Sequence, residues 1–482
     1  MVTRRTAIKA GAVVTGAMGS AGLLLPSADK SAAAAGDLDP ATVEKFVRAM
    51  PLLPRLAPSA SRRTTDVYTL RMQEVSKEVI PGKTTVLRTY GGHFPGPLIK
   101  AETGRRVVVQ QTNGLTVPTS VHLHGAHVPH DSDGWPMDVL APGGGQKTYT
   151  YPNEQPHANL WFHDHAHHVE SENVYRGLTA FYLLTDDIEK NLSLPSGAYD
   201  IPLDLRDARF DDTGQLIYAM NDRTRLFPLV NGRTWPYLEV KARKYRFRLF
   251  NTSNMRFFTL KLSDDSAFTQ IGTDGGLLAA PQQLTSLPLS SGERADIVID
   301  FSRYTAGTRL VLANSEGTTP ESPLAQLLQF RVTGPAEDNS TVPATLRTLP
   351  ALPTPTVQRT ILLKSDEVGE NRRGYIDGKT FDPERVDAQI QYGDTEVWTV
   401  TNTNERAPHN FHIHLVQFRI LERNGTPVTS GHENGLKDTV RLMPGETVKI
   451  QATFTGYRGK YVYHCHMLDH SAMGMMATLQ VV

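Results

Sequence analysis

The chain has 482 residues, more than one core of ordinary size accommodates, and length alone favours about three domains. Its 50 basic and 50 acidic residues cancel, so no charge excess favours nucleic acid or an anionic membrane surface as a partner. A single cysteine, Cys465, excludes an intramolecular disulfide framework, and 38 Gly and 31 Pro between strand-forming runs predict all-β domains joined by turns.

The N-terminus reads Thr3-Arg-Arg-Thr-Ala-Ile-Lys9, followed by an Ala/Gly-rich stretch to Leu25 and small residues up to Ala35. With Arg4 and Arg5 as the pair, residues 1–35 resemble a twin-arginine-type signal peptide, which predicts export and a secreted, periplasmic or cell-surface location. No other run is long and apolar enough to span a bilayer. Residues 36–64 read as an N-terminal arm. In it, Asp39-Pro40 predicts an N-cap and the first residue of a short helix reaching about Ala49, ahead of the Pro-rich stretch 51–58.

The first globular block is residues 65–190, where strand-like runs such as 106–111 alternate with turn signals at 90–92 and 95–97. It holds His122 with His124 and His163 with His165. Residues i and i+2 of a strand share a face, so each pair presents two imidazoles on one side. The second block, 200–335, contains Tyr245, Phe247 and Leu249 alternating with Arg246 and Arg248, which predicts a strand with one buried face. No histidine occurs between His168 and His409. The middle block therefore furnishes no imidazole and is expected to be a spacer and part of a substrate wall. A Pro/Thr-rich stretch, 336–357, reads as a linker to the third block, 358–482.

The 17 histidines would give roughly 0.6 His-x-His pairs by chance. Five are present, beginning at His122, His163, His165, His412 and His464. The last lies in His464-Cys-His-Met-Leu-Asp-His-Ser-Ala-Met-Gly-Met-Met476, which mixes thiol, imidazole and thioether. A His₂Cys set with a weak axial Met is a blue-copper electron-transfer site, and Cys465, His470 and Met475 supply three of its four ligands. Neighbouring residues of a strand point to opposite faces, so Cys465 can hold one metal while His464 and His466 hold others behind it. A closed zinc site would want four tetrahedral ligands, which this donor set does not resemble.

Four motifs, HLHG at His122, WFHDHAHH at Trp161, HNFHIH at His409 and HCHMLDHSAMGM at His464, resemble the copper-binding signatures of multicopper oxidases. With YGGHFPGPLI from Tyr90, LVNGRTWPYLEV from Leu229 and KDTVRLMPGE from Lys437, the chain from about residue 40 to 482 is similar to the three-domain bacterial members. These include spore-coat laccases, bilirubin oxidases and phenoxazinone synthases. The resemblance implies three consecutive cupredoxin-like Greek-key β-barrel domains and four copper ions. A type 1 ion would be held by His409, Cys465, His470 and axial Met475, a type 2 ion by His122 and His412, and a type 3 pair by His124, His163, His165, His414, His464 and His466.

The implied activity is a copper-dependent oxidoreductase of the benzenediol:oxygen type. Small phenols and aromatic amines would give single electrons at the type 1 ion, by the edge of His470. Cys465 with its neighbours His464 and His466 would carry them to the cluster that reduces O2 to water. Asp133 matches a residue the family uses as a proton donor. One departure stands out: many relatives carry Glu directly after the type 1 His, where this chain has Ser471, and slower oxygen reduction or greater reliance on Asp133 is expected. Within the class, o-aminophenol oxidase and bilirubin oxidase are the alternatives. A cuprous oxidase is less favoured because no methionines cluster in sequence outside the tail. A copper electron carrier without turnover would not need the second ligand set.

Overall fold

The same two parallel strand pairings recur three times along the chain. In the computed structural model, which describes residues 36–366 and 372–482, strand Thr65–Glu78 lies parallel to Arg106–Asn113, and Leu98–Glu102 parallel to Thr179–Thr185. Asp200–Ala208 and Tyr237–Ala242 repeat this with Lys244–Asn251 and Gln326–Pro335. Val357–Asp366 and Ala388–Ile390 repeat it again with Thr395–Asn402 and Met476–Val481. Two strands close in sequence cannot lie parallel without a crossover, so each repeat wraps two sheets around one core in Greek-key fashion. Among the described residues the sheets have five and four strands in the first repeat, seven and five in the second, and six and five in the third. This is the expected all-β, three-barrel architecture.

Alternation sets the inner faces. Tyr68, Leu70 and Met72 are buried while Thr69 and Arg71 face out, and the first core gathers around Tyr149, Tyr151 and Tyr182. The second core centres on Phe247, Phe301 and Phe330, and the third on Trp398, Phe411 and Tyr463. Strand Lys244–Asn251 departs from expectation, since both of its faces are buried. Arg246 and Arg248 are sunk against the first repeat, where Glu189 accepts from both guanidinium groups, while Asp296 and Asp200 of their own repeat accept from Arg246 and Arg248 respectively. Ion pairing is what lets two arginines occupy positions that alternation alone assigns to solvent.

The arm also differs. Only Pro40–Thr42 forms a turn of 3₁₀ helix, capped by Asp39, whose Oδ1 accepts from the Ala41 N–H at 2.9 Å. Val43 is extended, a turn follows at residues 45–46, where Phe46 has φ +61°, and the N–H groups of Phe46 and Met50 donate to the carbonyls of Trp235 and Tyr237 at 2.8 and 2.7 Å. A short helix is costly to nucleate, and backbone partners on the middle domain satisfy these donors instead. Residues 336–356 are irregular and are fixed by burial of Leu346 and an ion pair of Arg347 with Asp186. The residues read as a signal peptide lie outside the described residues. No helix among the described residues is long and apolar enough to cross a membrane.

Candidate metal centres

Strand Val121–His124 pairs antiparallel with Ala158–Asp164 so that His122 lies opposite His163. In the third domain, His409–Ile413 pairs with Gly459–His464 so that His412 lies opposite His464. The period of two then sorts the ligands: His412 and His414 share a face while His409 points the other way, and Cys465 is offset in the same manner from His464 and His466. Both segments of the third domain thus divide their donors between two sites.

Eight imidazoles meet where the first and third domains face each other, each at most 2% exposed. Their tautomers follow from what surrounds them. Nδ1 of His122, His163, His412 and His464 each lies 2.6 to 3.1 Å from a main-chain carbonyl, of Asp133, Asp164, Asp438 and Cys465 respectively. A carbonyl only accepts, so each Nδ1 carries the proton and each Nε2 offers its lone pair inward. His414 Nδ1 donates to Asp133 Oδ2 at 2.7 Å, and His124 Nε2 donates to Asp438 Oδ1 at 2.9 Å.

The bare nitrogens form groups. His464 Nε2 is 3.3 Å from His165 Nε2 and 3.4 Å from His414 Nε2. His466 Nε2 is 3.0 Å from His124 Nδ1 and 3.3 Å from His163 Nε2. Nε2 of both His122 and His412 is buried with no hydrogen-bond partner. Burial, together with the neighbouring imidazoles, pushes all eight below the ordinary histidine range, His165 to about 3 and His412 to about 4. Neutral rings with lone pairs converging at these distances form groups that could hold metal ions.

Across the sheet, Cys465 Sγ lies 3.6 Å from His409 Nδ1 and 3.7 Å from His470 Nδ1, and the two nitrogens are 3.1 Å apart. His409 Nε2 donates to Asn404 Oδ1 at 2.9 Å, which fixes its ring. Met475 is fully buried behind Cys465, whose N–H donates to the Met475 carbonyl. Strand Arg373–Ile376 crosses so closely that a Cβ on Gly374 would fall 2.5 Å from the Met475 Cβ. The adjacent Met476 lies opposite His464, and Met473 Sδ accepts from Asn221. Cys465 and the ten histidines named as ligand candidates from the sequence lie in these two clusters, and Met475 adjoins the cysteine cluster through its main chain. His127, His130, His157, His167, His168, His432 and His93 are in none of the ligand groups.

Three residues beneath the larger cluster were not singled out as site residues from the sequence. Asp438 accepts from His124 and, through the carbonyl, from His412, and Arg294 donates to its carboxylate at 2.7 and 2.5 Å. The Arg294 main-chain N–H donates in turn to Asp274 Oδ1 at 2.7 Å. Asp438 lies inside the quoted KDTVRLMPGE run; nothing local marks Arg294 or Asp274. Both belong to the middle domain, so that domain does more than space the other two: it holds the carboxylate that orients their histidines. Its Gly292 has φ +85° and would bring a Cβ to 2.7 Å from His466 Nδ1. Gly292→Ala should cost about 1–2 kcal/mol in backbone strain alone and displace His466. Metal analysis is expected to show lost copper, and thermal unfolding a lowered midpoint, with blue absorption from the Cys465 centre retained.

A cavity of about 170 Å³ opens beside the cysteine centre, with Pro408 and Met467 in its wall next to His409 and Cys465. The rest of its wall mixes Met255 and Met443 with the acids Asp207 and Asp222 and the cations Arg223 and Arg256. His470 itself is fully buried, so the expected entry at its edge is not an exposed one.

The donors fit copper: one thiolate, two imidazoles and a thioether in one cluster, and eight neutral imidazoles with orphaned lone pairs in the other. Multicopper oxidase family models match residues 71–188, 204–328 and 353–482. The chain is 36% identical to the laccase of Bacillus subtilis (strain 168), over 91% of this chain and 99% of that protein. It is 35% identical to the bilirubin oxidase of Albifimbria verrucaria, over 85% of this chain and 75% of that one. Among solved structures, the laccase of Pediococcus acidilactici Pa5930 superposes with a TM-score of 0.83 at 33% identity, covering 91% of this chain and 95% of that one. A thiolate centre joined by one stretch of main chain to an eight-imidazole cluster, on three repeats that each match the same family, makes this chain a member of the multicopper oxidases, a laccase-like copper oxidoreductase.

Proposed function

We propose that the protein couples one-electron oxidation of phenols and aromatic amines to the four-electron reduction of dioxygen to water. The observation that carries this reading is the covalent adjacency of Cys465 to His464 and His466, which belong to two different groups of converging nitrogens. His409, Cys465 and His470, together with Met475, would hold a type 1 copper. His122 and His412 would hold a type 2 copper, and His124, His163, His165, His414, His464 and His466 a type 3 pair. Four bound copper ions supply the electron transfer and the dioxygen chemistry. Asp133, the proposed proton donor, orients His414 through Oδ2 and keeps Oδ1 without a partner. Burial holds its carboxyl well above the usual carboxylate range, the direction that favours the protonated form a donor needs. Residues 1–35 are proposed to direct twin-arginine export.

The donor is proposed to dock in the cavity beside Pro408 and Met467. A second reading rests on the same cavity. Met255, Met443 and Met467, scattered in sequence, come together in its wall beside carboxylates, a surface that also suits a cuprous ion. Oxygen uptake by the copper-loaded protein, with a methoxyphenol, o-aminophenol and Cu(I) compared at equal concentration, tests both readings. Fast uptake with the two organic donors supports the general laccase activity, and a large excess for o-aminophenol points to a biosynthetic oxidase. Uptake with Cu(I) alone overturns the aromatic reading.

A further inference from the structure

Helix Leu468–Ala472, which carries His470, packs on helix Glu170–Tyr175, which begins five residues after His165. Their contact is polar and buried. Ser471 Oγ donates to Glu170 Oε1 at 3.1 Å, and both side chains are fully buried. Glu170 Oε2 has no hydrogen-bond partner. No cation is paired with this carboxyl: the charges facing it are Asp164, at the end of the strand carrying His163, and Asp469, one residue before His470. The nearby Arg225 is committed to Asp469 at 2.9 Å, and Asp469 also accepts from Ser171 Oγ and the Asn221 N–H. A carboxylate placed here would be desolvated, flanked by two more acids and half unpaired, an arrangement that a proton relieves. Burial accordingly pushes Glu170 up to about 8, with Asp164 and Asp469 adding to the rise.

The geometry points to Glu170 as the residue that stores and delivers a proton for dioxygen reduction, held in place by the Ser471 hydroxyl. Each dioxygen reduced to two waters takes four electrons from the donor and four protons from the protein and solvent. Glu170 gives one of these protons, becomes a carboxylate, and is reprotonated from solvent before the next cycle. The carboxyl that relatives place directly after the His470 position is missing from that position here. The structure brings one from the first domain against the Ser471 hydroxyl, and on this inference it takes the place of the missing carboxyl. Sequence spacing gives no hint of this, because the two residues are 301 positions apart.

The inference rests on the dioxygen-reducing reading above, and one of its tests does not. In copper-free protein at pH 7, infrared spectra should show a protonated carboxyl band that is absent from Glu170→Gln and that titrates away only as the pH rises past about 8. In copper-loaded protein, Glu170→Gln with wild-type copper content should lose about 10²-fold in oxygen-limited turnover and lose the alkaline limb of the wild-type pH profile. A phenol without oxygen should bleach its blue colour at the wild-type rate. Adding Ser471→Glu to Glu170→Gln should restore most of the turnover. Unchanged turnover and pH profile in Glu170→Gln overturns the inference. So does a wild-type infrared spectrum with no band assignable to Glu170, or a loss shared equally by the oxygen-free bleaching. Should Glu170→Gln not fold, Ser471→Ala removes only the hydroxyl that holds the carboxyl; reduced turnover with a shifted alkaline limb supports the assignment, and unchanged values overturn it. If the wild type takes up no oxygen, the proposed function fails, and the infrared band still decides whether Glu170 holds a proton.

Discussion

Cys465→Ser should abolish the blue colour, remove one of the four copper ions proposed per chain, and reduce donor-driven oxygen uptake by more than the 10–100-fold typical of losing an outer-shell partner. The sulfur is fully buried, and within 3.7 Å it has the two imidazole nitrogens that would share its metal. A serine hydroxyl stays protonated at neutral pH and is a hard donor, so it replaces neither the thiolate charge nor its covalency toward copper. The cluster of eight imidazoles is ordered by hydrogen bonds to carbonyls, Asp133 and Asp438, none of which involves the sulfur. The three ions proposed there should remain. Copper analysis, the visible spectrum and oxygen uptake on one preparation check all three statements. A serine variant that stays blue and turns over normally would remove Cys465 from the mechanism.

Arg294→Met should be the most destabilising single change near the site. Arg294 and Asp438 are both inaccessible to solvent and are joined by two hydrogen bonds, and Asp274 is 3.7 Å from the same guanidinium. Removing the cation leaves Asp438 buried with only neutral donors, Gln417, Thr439 and His124. Lys437 remains with Asp274 and Glu293. Breaking one half of such a pair costs about 3–5 kcal/mol, read as a lowered denaturant midpoint at neutral pH. Arg294→Met with Asp438→Asn should recover part of the loss, since no charge is then stranded. Burial by itself would raise the Asp438 carboxyl, but the Arg294 guanidinium outweighs it and holds the group at about 2. A depressed carboxyl contributes stability above its unfolded value near 4, and that contribution is lost as the pH falls toward 2. The gap between wild type and Arg294→Met should therefore be full at pH 7 and narrow below about pH 4. Equal stability of the two proteins at pH 7 would show that the ion pair does not hold the domains' shared site together.

The ligand candidates were legible because their signal is local. Strand geometry fixes which of two neighbours faces which way, so His-x-His spacing and the offset of Cys465 and His409 could be read from residues a few positions apart. The all-β class and the threefold division were legible for a similar reason, since alternation, turn residues and the copper motifs are short patterns repeated along the chain. The tertiary structure alone decided what stands behind the ligands. Arg294 and Asp274 from the middle domain reach Asp438 of the third, Glu170 of the first reaches Ser471, and three dispersed methionines share one cavity wall. The arm's path along the middle domain and the double burial of the Arg246 and Arg248 strand were decided in the same way, the strand by two acids of its own domain together with Glu189 of the first. Buried polar groups must find partners wherever the fold places them, and those partners lie tens to hundreds of residues away in sequence. Sequence thus determined which atoms can bind copper, while packing between domains determined which charges and protons surround it.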